Sequence, residues 1–176
     1  NVKKNTFRPI KIPKFDKSID DRCKKNNWFK LKKKPDILIL EGWCVGAKPE
    51  NSKSLNRPIN VLEKNADNKK IWRSYVNNQL KSKYAKLFDQ LDSLLYLKAK
   101  NFKLLKRWRL KQEKKLKMKS RTKKNSKIMN EKEVETFMMT YQRITQNMFK
   151  NTPKYSSAVI DLNENHQIKK IRFKHV

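Results

Sequence analysis

Two short stretches carry side chains able to hold charged groups. In Glu41-Gly42-Trp43-Cys44-Val45-Gly46 a carboxylate stands beside both glycines of the chain. Glycine concentrates where the backbone takes positive φ or another group approaches closely, so Glu41 is expected in a specialised turn rather than in an ordinary solvated loop. Phe15-Asp16-Lys17-Ser18-Ile19-Asp20-Asp21-Arg22 gathers acid, Lys17 and Arg22 in a chain whose formal charge is +30. Lysine outnumbers arginine roughly four to one. Where lysine is the default cation, each arginine marks a place where the planar fork matters for gripping a carboxylate or phosphate. Arg22, Arg73, Arg107, Arg109 and Arg143 are the candidates. The same two glycines exclude other chemistry. They are four apart and followed by Ala47, so this stretch holds neither a G-x-x-x-x-G-K-[ST] phosphate loop nor a G-x-G-x-x-G fingerprint. Cys23, Cys44, His166 and His175 have no zinc-ligand spacing and read as free thiols and ordinary imidazoles of a reducing, cytoplasmic setting.

These residues need elements to position them. Residues 1–14 read as extended, because Pro9 and Pro13 exclude a helix interior. Pro35-Asp36-Ile37-Leu38-Ile39-Leu40 is a short continuous apolar run and reads as a parallel strand buried on both faces, ending at Glu41. Residues 50–64 read as a polar loop. A helical stripe then runs from Asp67 through Ile71, Tyr75, Val76, Asn78, Leu80, Tyr84, Leu87, Phe88 and Leu91. Leu94-Leu95-Tyr96-Leu97 reads as a strand, and residues 101–119 as a helix bearing Phe102, Leu105 and Trp108 on one side and Lys106, Arg107, Arg109 and Lys111 elsewhere. Residues 119–127 form a mobile basic linker in this reading. Asn130 with Glu133 spells a capping box. It opens a helix to about Met148 that buries Val134, Phe137, Met138, Tyr141, Ile144 and Met148. Ser157 to Leu162 and Gln167 to Phe173 read as strands joined by the turn Asn163–His166. Strands alternating with helices predict an α/β fold, mostly parallel, in a single domain over residues 1–176.

Composition sets the outer limits. Hydrophobic residues make up 36% of 176, enough for a thin core. No apolar run approaches the roughly 20 residues that span a bilayer, and Asn1-Val2-Lys3-Lys4 has no apolar stretch behind it that would make a secretory signal. The charge invites a nucleic-acid reading. However, the Lys- and Asn-rich, Gly- and Arg-poor usage is what codon pressure in AT-rich DNA produces, and the lysines are spread along the chain. Only non-specific, salt-sensitive nucleic-acid binding is expected.

Several segments resemble one family when taken in order. They are Pro13-Lys14-Phe15-Asp16-Lys17-Ser18, Asp21-Arg22, Ile39-Leu40-Glu41-Gly42-Trp43-Cys44-Val45-Gly46, Trp72-Arg73-Ser74-Tyr75-Val76-Asn77, Leu91-Asp92, Trp108-Arg109-Leu110-Lys111-Gln112-Glu113, Phe137-Met138-Met139-Thr140-Tyr141-Gln142-Arg143-Ile144-Thr145 and Ala158-Val159-Ile160-Asp161-Leu162. Together they look like the C-terminal portion of the plant and cyanobacterial type of D-glycerate 3-kinase, one of the P-loop kinases that include uridine kinase, pantothenate kinase and phosphoribulokinase. The E-G-W-x-x-G and Y-x-R-x-T runs carry the specificity.

The resemblance implies a partial P-loop kinase fold, a mostly parallel sheet flanked by helices, and transfer of the γ-phosphate of ATP to a hydroxyl of glycerate. Glu41 would be the magnesium-associated carboxylate. Asp16, Lys17 and Arg22 would lie in the acceptor loop. Arg107 and Arg109 would stand on a lid-like helix within 101–128 that approaches the phosphates, and Tyr141 and Arg143 would support the lid, touch substrate or play a structural part. Trp72, Arg73 and Asn77 would pack within a matching helix. ATP and Mg2+ would be the cofactors. The family's first strand, Gly-rich loop, following helix and catalytic base have no counterpart in these residues, so this stretch alone is expected to be inactive and a missing N-terminal half to complete it. The acceptor loop also departs from the family, since Ile19-Asp20 joins Ser18 directly to Asp21-Arg22. Two other readings stand beside this one: a non-catalytic basic protein that binds nucleic acid on a kinase-derived scaffold, and a decayed, inactive fragment.

Overall fold

The structure is a computed structural model that describes residues 7–16, 21–119 and 128–174. Lys17 and the basic segment 120–127 lie outside the described residues. The chain divides into two compact units, residues 1–41 with 114–128 and residues 42–113 with 129–176.

The first unit holds two small antiparallel pairs. Strand β1 (Ile10–Ile12) pairs with β4 (Phe29–Leu31), and β2 (Phe15–Asp16) pairs with β3 (Asp21–Arg22). The Trp28 indole N–H donates to the carbonyl of Cys23 at 2.8 Å and ties the end of β3 to the start of β4. The run Ile37–Leu40 does not form the expected strand. It is unpaired among the described residues, and its side chains are 78, 69, 82 and 45% exposed. A strand apolar on both faces needs a neighbour on each side and cover above and below; the described residues provide neither, so the apolar run remains without its sheet.

The second unit contains the main sheet, in the order β5 (Leu95–Lys98), β6 (Ala158–Leu162), β7 (Ile168–Phe173). β5 and β6 are parallel, with Tyr96 opposite Val159. β6 and β7 are an antiparallel hairpin with an irregularity at Asp161/Leu162. The sheet is therefore mixed rather than mostly parallel, because the Asn163–His166 turn is too short for anything but a hairpin. The helices of this unit are α1 (Val61–Ala66), α2 (Ile71–Lys81), α3 (Lys83–Phe88), the first two-thirds of α4 (Phe102–Lys119) and α5 (Glu131–Asn151). The capping box opens α5 as expected, with Asn130 Oδ1 accepting from Glu133 N–H at 2.9 Å and Glu133 accepting from Asn130 N–H at 2.7 Å. The core gathers Ala47, Leu80 and Met148 with Cys44, Val76, Tyr96 and Ile144.

Two local expectations are corrected. Residues 50–64 are not a plain loop: they contain a 3-10 helix, Ser52–Asn56, and the start of α1. The buried face of α2 is Arg73, Asn77 and Leu80, while Ile71, Trp72 and Tyr75 are more than half exposed. The polar pair wins the inside because each finds backbone partners there, which a hydropathy stripe does not register.

Candidate functional site

The core of the second unit is unusual in what it buries. Arg143, Arg73, Glu63, Asn77 and Glu113 are each less than one-tenth exposed. Burying charge is costly unless every charged group is paired and hydrogen-bonded, and Arg143 meets that condition fully. Its Nε donates to Glu63 Oε1 at 2.7 Å, and Nη2 donates to Glu63 Oε2 at 2.6 Å and to the Arg57 carbonyl at 2.7 Å. Nη1 donates to Glu50 Oε2 at 3.3 Å and to the Ser54 carbonyl at 3.2 Å. All five N–H groups are spent on the segment 50–63. Arg143 therefore anchors that segment to α5, and its fork has no donor left for an incoming anion.

Arg73 makes a parallel anchor from α2. It donates to the carbonyls of Leu55 (2.7 Å), Glu63 (3.5 Å) and Asp67, and pairs with the Asp67 carboxylate at 3.0 Å. The Asn77 amide grips the Glu50 peptide on both sides, accepting from its N–H at 2.7 Å and donating to its carbonyl at 3.1 Å. Asn60 caps α1 by accepting from Glu63 N–H at 2.9 Å, and reaches α5 at the Met139 carbonyl.

The electrostatics follow from this packing. Burial pushes Glu63 upward, but bonds from Arg143 and the Ile59 N–H outweigh it, and its carboxyl ends below the usual range. Asp67 is lowered likewise: burial is opposed by the N–H groups of Arg73 and Trp72 and by the Arg73 guanidinium. Glu50 is raised, by burial first and by the nearby Glu63 charge, against Arg143. Above this charged floor lies a cavity of about 470 Å³ walled by Leu62, Val76, Leu80, Met139 and Ile144. Its arginines and carboxylates satisfy one another, so what they leave to a visitor is chiefly apolar wall.

The Trp43–Gly46 turn is held against the same helix. The Trp43 indole stacks on Tyr141 with centroids 5.1 Å apart and donates to Thr145 Oγ1 at 3.1 Å. Gly46 has φ +75°, and a Cβ there would lie 2.7 Å from Leu94, so the glycine expectation is met at this position. Tyr155 Oη donates to the Gly46 carbonyl at 3.0 Å. Each residue of the Y-x-R-x-T run thus has a part: Tyr141 and Thr145, one turn apart, hold Trp43, while Arg143 faces the acid segment.

Helix α4 carries the other cations. Arg109 pairs with Glu113 at 2.5 Å, donates to Gln112 at 2.6 Å and lies over the Phe137 ring. Its Nε is buried and is the one such side-chain donor among the described residues with no acceptor. Glu113 also accepts from Met129 N–H at 3.2 Å. Arg107 is exposed and pairs with Glu164 at 3.2 Å; Trp108 donates to the Glu164 carbonyl and stacks on His166 at 4.2 Å. Lys100, Lys103, Lys106 and Arg107 line a groove of about 430 Å³ at the start of α4.

In the first unit Glu41 and Arg22 are exposed, and Asp16 is half-buried opposite Asp21 across the β2–β3 pair. Within the second unit, Arg107 and Arg109 share α4 while Tyr141 and Arg143 share α5. The Phe137 ring joins these helices, meeting Arg109 and Tyr141. Among the described residues no cluster of three or more His, Cys, Asp or Glu side chains forms a ready-made metal cage. A magnesium ion that travels with phosphates needs only one or two carboxylates, which suits the exposed, hard-oxygen Glu41. Sequence reasoning missed Glu50, Glu63 and Asp67. One signal was available: Asn60-x-x-Glu63 has the same cap spacing as Asn130-x-x-Glu133.

No protein-family model matches the chain. An uncharacterized kinase of Schizosaccharomyces pombe (mug58) is 33% identical over 144 residues, covering 78% of this chain and 49% of that protein. Among solved structures, a D-glycerate 3-kinase from Cryptococcus neoformans superposes with a TM-score of 0.68 at 21% identity, over 94% of this chain and 60% of its own. The YGR205w protein superposes with a TM-score of 0.60 at 24% identity, over 96% and 59%. The chain spans about half the length of the curated relative and about three-fifths of the solved ones. No helix among the described residues is long and apolar enough to cross a membrane. The chain is thus a partial domain with the mixed α/β fold of D-glycerate 3-kinase, and a kinase is its relative in sequence.

Proposed function

We propose that these residues belong to an ATP-dependent kinase that transfers the γ-phosphate of ATP to a hydroxyl of glycerate. The observation that carries this reading is the likeness of nearly the whole chain to the fold of a D-glycerate 3-kinase, joined to the Trp43–Gly46 turn, whose indole rests on Tyr141 and Thr145 of the Y-x-R-x-T run. Phosphoryl transfer asks a protein mainly to position groups and neutralise charge, and the residues suit those tasks. Exposed Glu41 would hold Mg2+, which when bound to ATP shields phosphate charge. Arg22, with Asp16 and Lys17, would receive glycerate, the arginine fork gripping its carboxylate. Arg107 and Arg109 would face the phosphates from α4, with their carboxylate partners Glu164 and Glu113 yielding to the stronger anion. Tyr141 and Arg143 act one step back: they fix the Trp43 turn and segment 50–63, and so position what binds.

These 176 residues contain no phosphate loop, so a segment bearing one must join them for activity. The test is ATP-dependent glycerate phosphorylation, measured by coupled ADP release. The chain alone should give none, and the chain joined to the portion of the fission-yeast relative that lies outside the matched residues should give turnover that Glu41→Gln abolishes. A fused protein that folds and binds ATP yet phosphorylates no hydroxy acid would overturn the reading. The lysine-lined groove on α4 favours one rival, a nucleic-acid binder without catalysis. That rival requires affinity surviving about 200 mM salt, where simple phosphate neutralisation fades by orders of magnitude.

A further inference from the structure

The cavity of about 470 Å³ between α1, α2 and α5 keeps one acceptor unspent. Three carboxylates line it, those of Glu50, Glu63 and Asp67, against the two guanidinium groups of Arg73 and Arg143. Asp67 is matched by Arg73 at 3.0 Å, and Glu63 by two short bonds from Arg143. Glu50 receives what remains. Its Oε2 accepts from Arg143 Nη1 at 3.3 Å, a group that also serves the Ser54 carbonyl. Its Oε1 has no partner among the described residues, and with the side chain 17% exposed that oxygen is not sealed in. Lys48 also stands on the wall, yet its ammonium lies over the Tyr155 ring, 4.1 Å from the centroid, and forms no ion pair with Glu50. Two positive charges against three negative ones leave the inner wall with one negative charge, at Glu50, in a chain that carries +30 overall. Burial and the Glu63 charge both raise the Glu50 pKa, as fits a carboxylate short of positive neighbours.

We propose that this cavity binds a small hydrophobic amine, with its protonated nitrogen on Glu50 Oε1 and an aromatic or branched aliphatic body against Leu62, Val76 and Met139. Small-molecule sites are concave, mostly apolar spaces of about 300–1,000 Å³ with a few polar groups that fix orientation, and this cavity has that character. The charge count selects the head group. An ammonium gives Glu50 a charge-assisted hydrogen bond and offsets the cost of holding an under-paired carboxylate away from water. An anion would meet Glu50 and Glu63 with no spare guanidinium donor to receive it, because Arg143 is fully committed. A neutral apolar molecule would strip water from Glu50 and return nothing. A bare divalent cation would find one free carboxylate oxygen where hard cations take about six or more oxygen ligands. Trp72, also on the wall and 66% exposed, offers an aromatic face that suits either the apolar body or the cation. Every group involved belongs to the second unit, and the inference does not rest on the kinase reading.

The test is titration calorimetry of the whole chain, near physiological salt, with 2-phenylethylamine, 2-phenylethanol and 3-phenylpropanoate. The three share a ring on a short chain and differ in the head. The amine should bind with one site per chain. The alcohol should bind about tenfold or more weakly, the scale of one charge-assisted hydrogen bond, and the carboxylate should not bind. Glu50→Gln, which keeps an oxygen for Arg143, should bring the amine down to the level of the alcohol. Ala66→Trp, at an exposed position on the cavity wall, should block all binding by filling the space. Glu135→Gln, on the exposed side of α5, should change nothing. Circular dichroism checks that each variant folds. Absence of amine binding, equal or tighter binding of the alcohol or the carboxylate, or amine binding untouched by both Glu50→Gln and Ala66→Trp would each overturn the inference. No nucleotide or glycerate is present, so a negative result is distinct from failure of the kinase assay.

Discussion

Replacing Arg143 by methionine removes the one side chain that joins α5 to residues 50–63 through both Glu50 and Glu63. Methionine keeps the length and apolar bulk, so little cavity opens. What changes is electrical. Glu63 loses two charge-assisted bonds, of 2.7 and 2.6 Å, and Glu50 loses its 3.3 Å contact. The carbonyls of Ser54 and Arg57 lose donors as well. Breaking a buried ion pair by removing one partner costs about 3–5 kcal/mol, because the remaining charge is stranded. Two carboxylates share this arginine, but Glu50 can recover water more easily, so we expect about 3 kcal/mol. For a chain of this size that corresponds to a melting temperature lower by roughly 6–12 °C. Arg143→Lys should lose most of the same stability, since an ammonium cannot serve five acceptors in a plane. Adding Glu63→Gln to Arg143→Met should restore part of the loss by removing the stranded charge. Thermal and urea unfolding of the three variants decide the matter. If Arg143→Met stays within about 0.5 kcal/mol of the parent, or Glu63→Gln deepens the loss, Arg143 is not the anchor of segment 50–63.

Further expectations rest on other sites. Glu63 and Asp67 titrate below the usual carboxylate range in the folded chain, so their stabilisation is complete above the unfolded value of about 4 and is lost as pH falls through the lower folded values. Glu50 is shifted upward and takes up its proton earlier in the folded chain, which raises stability slightly as pH falls toward about 5. Urea midpoints should therefore be flat or gently rising from about pH 7 to 5 and drop below about 4; a steady decline from neutral pH would contradict this assignment. Gly46→Ala meets both positive φ and Leu94 at 2.7 Å, and should destabilise by about 2 kcal/mol, read by the same unfolding assay against Gly42→Ala as the milder neighbour. Burial lifts the Cys44 thiol to about 11, so iodoacetamide at about pH 8 should label Cys23 well before Cys44.

What the residues alone determined is local. The Asn130–Glu133 box and the Val134–Met148 stripe define α5, because caps and 3.6-residue spacing act within a few turns of chain. The Asn163–His166 turn, which reads as joining two strands, does so as a hairpin. The E-G-W-x-x-G and Y-x-R-x-T runs were visible as motifs, and the resemblance they carry holds in the fold. Tertiary structure decided the rest. Hydropathy placed Ile71 and Tyr75 inside α2, yet Arg73 and Asn77 took those places because buried carbonyls and a carboxylate awaited their donors. Nothing in residues 50–64 announced that Glu50 and Glu63 would meet an arginine some 80–90 positions later; pairing at that separation is a property of the packed chain. Ile37–Leu40 failed in the opposite sense. The run has a strand's composition, but a strand exists only where another backbone offers its hydrogen bonds, and the sequence of one segment cannot supply its neighbour.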